Sequence, residues 1–475
     1  MKEKWSLKLI LLGLGAVMAL VLGFTLAHFG SLGYALVPLL LGGIILSYFT
    51  FRNPFLGFLL IVFFLPFERV PTLAFGGVDV KINTILGFLT ILTWLLASMF
   101  NGKKWKIQPN ALAWPISLFI IALMLSLTQA LNLSRGIEVI IFSLFTIVLS
   151  FMTVNMIPDK SALEKTIWAL FISASFIGLF GLFQFGGNVV GLPNSITQLK
   201  VGYDSKVFGF PRIQALSMEP LYFANYLLIP LSLALAYYFG HVNIFKRWWL
   251  ISLMAVLLLN FVLTVSRGGY LGLAVTLLLF AIYYFKQIFT RKTVTIFVIF
   301  LAVAGGVYFA LLKSESRALN NFISHATLQD AKTGSESVQG RLSTFDFAYA
   351  AFKKNPVLGI GIGNYGPYAK DYPPVAPKTG WDIVNNQFIE LLAETGMVGA
   401  ISYGLVLLVV IWRSFAALKR AKEPFLRATM FGLFAAFVGV MVQYNFFSTL
   451  YIIHIWILVG LLMAVQNLIL RGEKA

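Results

Sequence analysis

The chain has 475 residues, 59% of them hydrophobic and 11% charged, with a formal net charge of +18. At a mean hydropathy of +0.86 it carries more apolar surface than a soluble fold of this length can cover, which excludes a water-soluble enzyme and leaves the positive balance to be read as membrane topology rather than as a nucleic-acid footprint. The absence of cysteine removes disulfides, thiolate metal sites and cysteine nucleophiles.

Taken in chain order against a template of roughly 20 apolar residues, fourteen candidate spans stand out: 7–29, 31–50, 54–67, 82–100, 114–131, 138–157, 164–186, 219–239, 248–265, 269–288, 293–312, 396–414, 425–444 and 449–470. The runs are unbroken rather than alternating, which argues against a transmembrane barrel. The first is longer than a signal-peptide core and has no clear small-x-small cleavage pattern, so it reads as a retained helix. The third is short and bounded by Pro54 and Pro66, and its length admits a tilted span, a re-entrant segment or none. The expected fold is therefore all-α: a polytopic integral membrane protein with 12–14 transmembrane helices, one membrane domain over residues 1–475, and a large helical outer loop.

Two connections are long, 187–218 and 313–395, the second too long to be a mere connector. Within it the pattern predicts an amphipathic helix from Leu342 to Lys354, ended by Asn355-Pro356, and a second helix from about Asn385 into Gly396. The glycine-rich stretch Gly359 to Gly363 lacks the preceding strand and the lysine-serine ending of a nucleotide loop, and reads as flexible backbone. With the N-terminus in the cytoplasm, 21 of the 36 Lys and Arg residues fall inside. The outer connections other than 313–395 hold seven, Arg69, Lys81, Arg135, Lys200, Lys206, Arg212 and Arg267. This asymmetry places both termini in the cytoplasm and the two long loops outside.

Three arginines then fall beside helix ends on the outer side: Arg212 after Pro211, Arg267 in Thr264-Val265-Ser266-Arg267-Gly268-Gly269, and Arg341 after Gly340. Planar guanidinium forks suit phosphate oxygens, and three of them converging would hold a pyrophosphate without a metal. The two glycines after Arg267 would let a ligand approach the backbone. The competing reading is that each arginine snorkels at a helix end, or pins its loop by pairing with Glu219 or Asp382. Glu219 opens a span ahead of Pro220, either as an acid favoured by the helix dipole or as a general base near the arginines. No outer Asp-x-Asp pair, HExxH or paired-histidine spacing occurs, and of four histidines only His325 lies in a long outer loop; no metal or cofactor is expected.

These segments resemble the O-antigen ligase and O-antigen polymerase superfamily, bacterial membrane glycosyltransferases with a large periplasmic loop. Pro211-Arg212 through Glu219-Pro220-Leu221-Tyr222-Phe223-Ala224 and Thr264 through Tyr270 look like the family's two arginine segments. Arg341 through Asn355-Pro356-Val357-Leu358-Gly359-Ile360-Gly361 is similar to its "R…PxxGxG" loop, and Asn385 through Gly396 to its "HNxxLxxLxExG" helix. The likeness covers roughly 165–465. It departs where family ligases place an acceptor-activating histidine and this chain has Asn385, which cannot take a proton at neutral pH; Glu219, Asp382 and His325 are the alternatives. The resemblance implies metal-independent, inverting transfer or polymerisation of glycans from undecaprenyl pyrophosphate to a glycan or lipid-linked acceptor, on the outer face of the bacterial cytoplasmic membrane. Ser217-Met218-Glu219-Pro220 resembles polymerases more than ligases. It also implies catalytic roles for Arg212, Arg267, Glu219 and Asn385, and contacts to pyrophosphate or sugar from Arg341, Asp382 and Tyr365. Trp381, Tyr368 and Tyr372 are further aromatics able to stack on sugars. Membrane lipid is an expected partner and nucleic acid is not. A transporter or flippase of a lipid-linked or anionic solute is the alternative, opposed by the absence of a clear internal repeat and the scarcity of mid-span charges.

Overall fold

The structure, a computed structural model, describes residues 42–43, 46–69, 72–75, 78–100, 108–204, 211–288, 336–370 and 382–471. The expected spans 7–29 and 293–312, most of 31–50, and His325, Tyr372 and Trp381 lie outside the described residues. The helices are α1 Pro54–Phe63, α2 Ile82–Phe100, α3 Ala113–Ser126, α4 Leu133–Met156, α5 Lys160–Val189, α6 Pro220–Phe239, α7 Arg247–Leu263, α8 Arg267–Tyr283, α9 Glu336–Lys354, α10 Tyr365–Lys370, α11 Gln387–Arg420, α12 Pro424–Gln443 and α13 Ile453–Arg471. Among the described residues six of these, α4, α5, α6, α11, α12 and α13, are long and apolar enough to cross a membrane, and α1, α2, α3, α7 and α8 are shorter apolar helices. This is the all-helical, multi-pass membrane protein that the apolar runs predict. Two compact units are distinguished, one within 1–58 and 86–105, the other within 59–85 and 106–475.

Local sequence sets the helix starts. Asn132 and Asp159 accept from Arg135 N–H and Ala162 N–H, and Glu423 accepts from Leu426 N–H with Pro424 behind it. These side chains satisfy amides that have no partner inside the helix. In the second unit α12 packs against α6, α8 and α13, α4 against α13, and α3 against α11. Small residues permit the close crossings: a Cβ on Gly439 would lie 2.2 Å from Thr276 Oγ1, and one on Gly272 2.6 Å from Gln443 Cγ. Large apolar side chains stay outside, Trp412 at 70% exposure and Met124 at 58%, as a lipid-facing surface requires.

Two features depart from the sequence expectation. A short antiparallel strand pair, β1 Thr72–Phe75 with β2 Val78–Lys81, pairs Phe75 with Val78. The glycine stretch 359–363, predicted to be flexible, is instead locked against α11. Ile360 N–H and Gly361 N–H donate to the carbonyls of Ala393 and Glu394, and Met397 N–H and Val398 N–H to those of Pro356 and Val357. The buried Glu394 carboxylate accepts from Gly363 N–H at 2.8 Å and Tyr365 N–H at 2.9 Å. Gly359, Gly361, Gly363 and Gly396 all have positive φ. At Gly396, φ +61° and ψ −162°, α11 kinks. Backbone atoms occupy the places where side chains would stand, so glycine serves close approach here and not mobility.

Candidate active site at three helix starts

The segment after Pro211 is held by one buried amide. Gln184 Oε1 accepts from Gln214 N–H and Ala215 N–H, and Gln184 Nε2 donates to the Thr197 and Ala215 carbonyls. That fixes Arg212, whose Nη2 donates to Val265 O at 3.0 Å and whose guanidinium lies 5.5 Å from the Tyr203 ring centre. Val265 has φ +47°, a conformation a β-branched residue avoids. Such strain costs about 1–3 kcal/mol and persists only where the surroundings impose it, as at functional sites. Here it turns the carbonyl towards Arg212 while the next residue, Ser266, caps α8 through Gly269 N–H.

A cavity of about 320 Å³ is lined by Tyr203, Arg212, Glu219, Tyr222, Arg267, Asn385, Phe446 and Phe447 among others. Its wall includes the first residues of α6 and α8 and the approach to α11. Helix starts present N–H groups and positive dipole ends, so two guanidinium groups and the two helix starts outweigh the one carboxylate, Glu219, and the cavity favours an anion. Burial lowers the Arg212 pKa, with the phenol of Tyr203 next in weight and opposing it; from an ordinary value above about 12 the group stays charged. Burial, then the Glu219 carboxylate, raises the Tyr203 phenol, which stays neutral. Asn385 has φ +59°, a left-handed conformation that asparagine tolerates, and the adjacent Asn386 caps α11 through Phe388 N–H and Ile389 N–H.

Thus Arg212, Arg267, Glu219 and Asn385, singled out from sequence, line one cavity. Other expected contacts stand elsewhere. Tyr365 is 2% exposed in a core with Phe347, Ile360 and Val384, and its hydroxyl donates to Thr344 O. Asp382 is half-buried ahead of Ile383 and is not among the lining residues. Arg341 lies on α9, and its side chain is outside the described residues. Gly268, read with Gly269 as room for a ligand, is among the lining residues, while Cβ atoms added to the two glycines would lie 2.7 Å from Phe446 and 2.8 Å from Ala224. Sequence reasoning passed over Glu68 and His454, which meet at 3.4 Å from distant parts of the chain. The available signal was an ionisable residue inside a span, His454.

Over residues 250–404 the chain matches the O-antigen ligase family, Wzy_C, a stretch that includes Arg267, Arg341, Tyr365 and Asn385; Arg212 and Glu219 lie before it. No curated protein matches the chain. The molecule is therefore a multi-pass membrane protein that over residues 250–404 is similar to the O-antigen ligase family.

Proposed function

We propose that the chain transfers the glycan of an undecaprenyl-pyrophosphate-linked donor to a glycan hydroxyl on the outer face of the bacterial cytoplasmic membrane, with inversion, and that it polymerises repeat units. The observation that carries this is the convergence of Arg212, Arg267 and the starts of α6 and α8 on one cavity. An acceptor hydroxyl attacks the anomeric carbon as the bond to the pyrophosphate oxygen breaks. Negative charge grows on the departing pyrophosphate, and cationic forks fixed in advance stabilise it more than the ground state. Glu219 balances part of the positive charge. Fixed side-chain and helix-dipole charge does here what a divalent cation does in other phosphate sites.

The test is purified full-length protein in proteoliposomes with lipid-linked repeat units and EDTA. The expected products are longer glycans and free undecaprenyl pyrophosphate. Transfer that EDTA abolishes and a divalent ion restores would contradict metal independence. Movement of the donor across the bilayer with no new glycosidic bond would support a transporter instead.

The orientation is proposed from the charge asymmetry, with both termini inside and the cavity outside. In this cysteine-free chain, Lys370→Cys and Lys422→Cys occupy exposed positions. An impermeant thiol reagent on intact spheroplasts should label the first and spare the second. The reverse pattern would overturn the topology.

A further inference from the structure

Beside the arginine cavity lies a second one, of about 240 Å³, lined by Glu68, Lys81, Thr146, Tyr222, Thr449 and Tyr451 among others. Tyr222 lines both. Its hydroxyl is 2.7 Å from Thr449 Oγ1, and the residues before it divide between the cavities, Met218 on one and Glu219 on the other. Glu68 is fixed at this wall. Its N–H and that of Arg69 both donate to Leu216 O, and its Oε2 accepts from Met218 N–H at 3.3 Å.

Behind Glu68 stands His454, 1% exposed, with Nδ1 3.4 Å from Glu68 Oε1. His454 Nε2 lies 2.8 Å from Asn225 Oδ1, and Asn225 Nδ2 donates to Gln443 Oε1 at 2.9 Å. An amide oxygen only accepts, so Nε2 carries a hydrogen, and Nδ1 is the nitrogen left facing the carboxylate. The 3.4 Å approach of Nδ1 to Glu68 Oε1 is not directed well enough to make a hydrogen bond in this geometry. The Asn225–Gln443 relay thus holds the ring with its basic nitrogen towards Glu68.

We infer that the Glu68 cavity receives the acceptor glycan and that Glu68, backed by His454, takes the proton from its attacking hydroxyl. This rests on the glycosyl-transfer reading above. In an inverting displacement the base works on the sugar face opposite the leaving group. Glu219 lies among the groups that hold the leaving pyrophosphate, and Asn385 cannot accept a proton; Glu68 stands across the Tyr222 wall. As the acceptor oxygen bonds to the anomeric carbon, the bond to pyrophosphate breaks and the hydroxyl proton passes to Glu68. It moves on to His454 Nδ1, leaving a carboxylate beside an imidazolium until water takes the proton.

The experiment uses full-length protein in nanodiscs, lipid-linked repeat units for transfer, and undecaprenyl pyrophosphate as the binding probe. Glu68→Gln should slow transfer on the order of 10²-fold, the usual contribution of a general base. Its affinity for undecaprenyl pyrophosphate should stay within about twofold of the wild type, the mark of a group used in the reaction and not in donor binding. Glu68→Ala with added formate should regain transfer, which a merely structural carboxylate would not allow. A Glu68→Gln protein with wild-type transfer would overturn the proposal. So would Glu68→Ala that formate leaves inactive, or parallel loss of donor affinity, which would assign Glu68 to the donor site. Wild-type protein that forms no glycosidic bond would instead refute the transfer reading itself, before any variant is considered.

Discussion

Arg267→Ala is expected to slow glycan transfer by a factor on the order of 10²–10³, about 2.7–4 kcal/mol, the cost of removing one preorganised donor aimed at developing charge. Arg267→Lys keeps the charge and loses the fork, so it should fall between alanine and wild type and closer to alanine. Arg212→Ala should be comparable for an added reason: Arg212 also holds the strained Val265 carbonyl ahead of the α8 start. The two arginines share a cavity, so the double variant should lose less than the sum of the single losses. Single-turnover transfer by protein of unchanged thermal stability measures this. Asn385→Ala should be milder, since asparagine is not a base. Full activity in Glu219→Gln together with inactivity in Asn385→Ala would require the roles in this cavity to be redrawn around Asn385.

Gly396→Ala is expected to be the most damaging single-methyl addition outside the cavity. Its φ of +61° with ψ of −162° is open essentially to glycine alone, and a Cβ would lie 2.3 Å from Val357 O. Neither contact can yield without opening the ladder that joins residues 356–361 to 393–398. The expected cost is about 4 kcal/mol or more, the range of strain combined with overpacking. Since Asn385 precedes the same helix, transfer should fall with stability. Gly404→Ala, in the same helix with nothing within 4 Å of the added carbon, is the control. It should be neutral or stabilise by up to about 1 kcal/mol through helix propensity. Thermal unfolding of the detergent-solubilised proteins decides. Equal midpoints for the two variants would show that the clamp is not a structural requirement.

The helices were legible because membrane spans are written locally. The apolar runs at 138–157, 219–239 and 425–444 become Leu133–Met156, Pro220–Phe239 and Pro424–Gln443, each boundary set by a proline or a capping side chain. Part of the cavity's lining was legible for the same reason. Glu219, Arg267 and Asn385 each stand at or just before a helix start, and helix starts are visible in sequence. What sequence hides is pairing between distant segments. Gly359 to Gly363 looked loose because the carbonyls that lock it belong to Ala393 and Glu394. The neighbours that pack on Gly268 and Gly269, Phe446 and Ala224, likewise come from other elements. Tyr365 looked like a sugar platform because its partners in the small core under α9 are scattered through the loop. Glu68 and His454 stood too far apart in the chain for either to point to the other.

The central claim is that the cavity between α6, α8 and α11 holds the pyrophosphate of the lipid donor. Equilibrium binding of glycan-free undecaprenyl pyrophosphate to the nanodisc-embedded protein in EDTA tests it most directly. Saturable binding should weaken by about 10-fold or more in Arg212→Ala and in Arg267→Ala, as expected for a lost charge-assisted hydrogen bond of about 1.5–3 kcal/mol. Affinities in both variants equal to that of the wild type would contradict the claim.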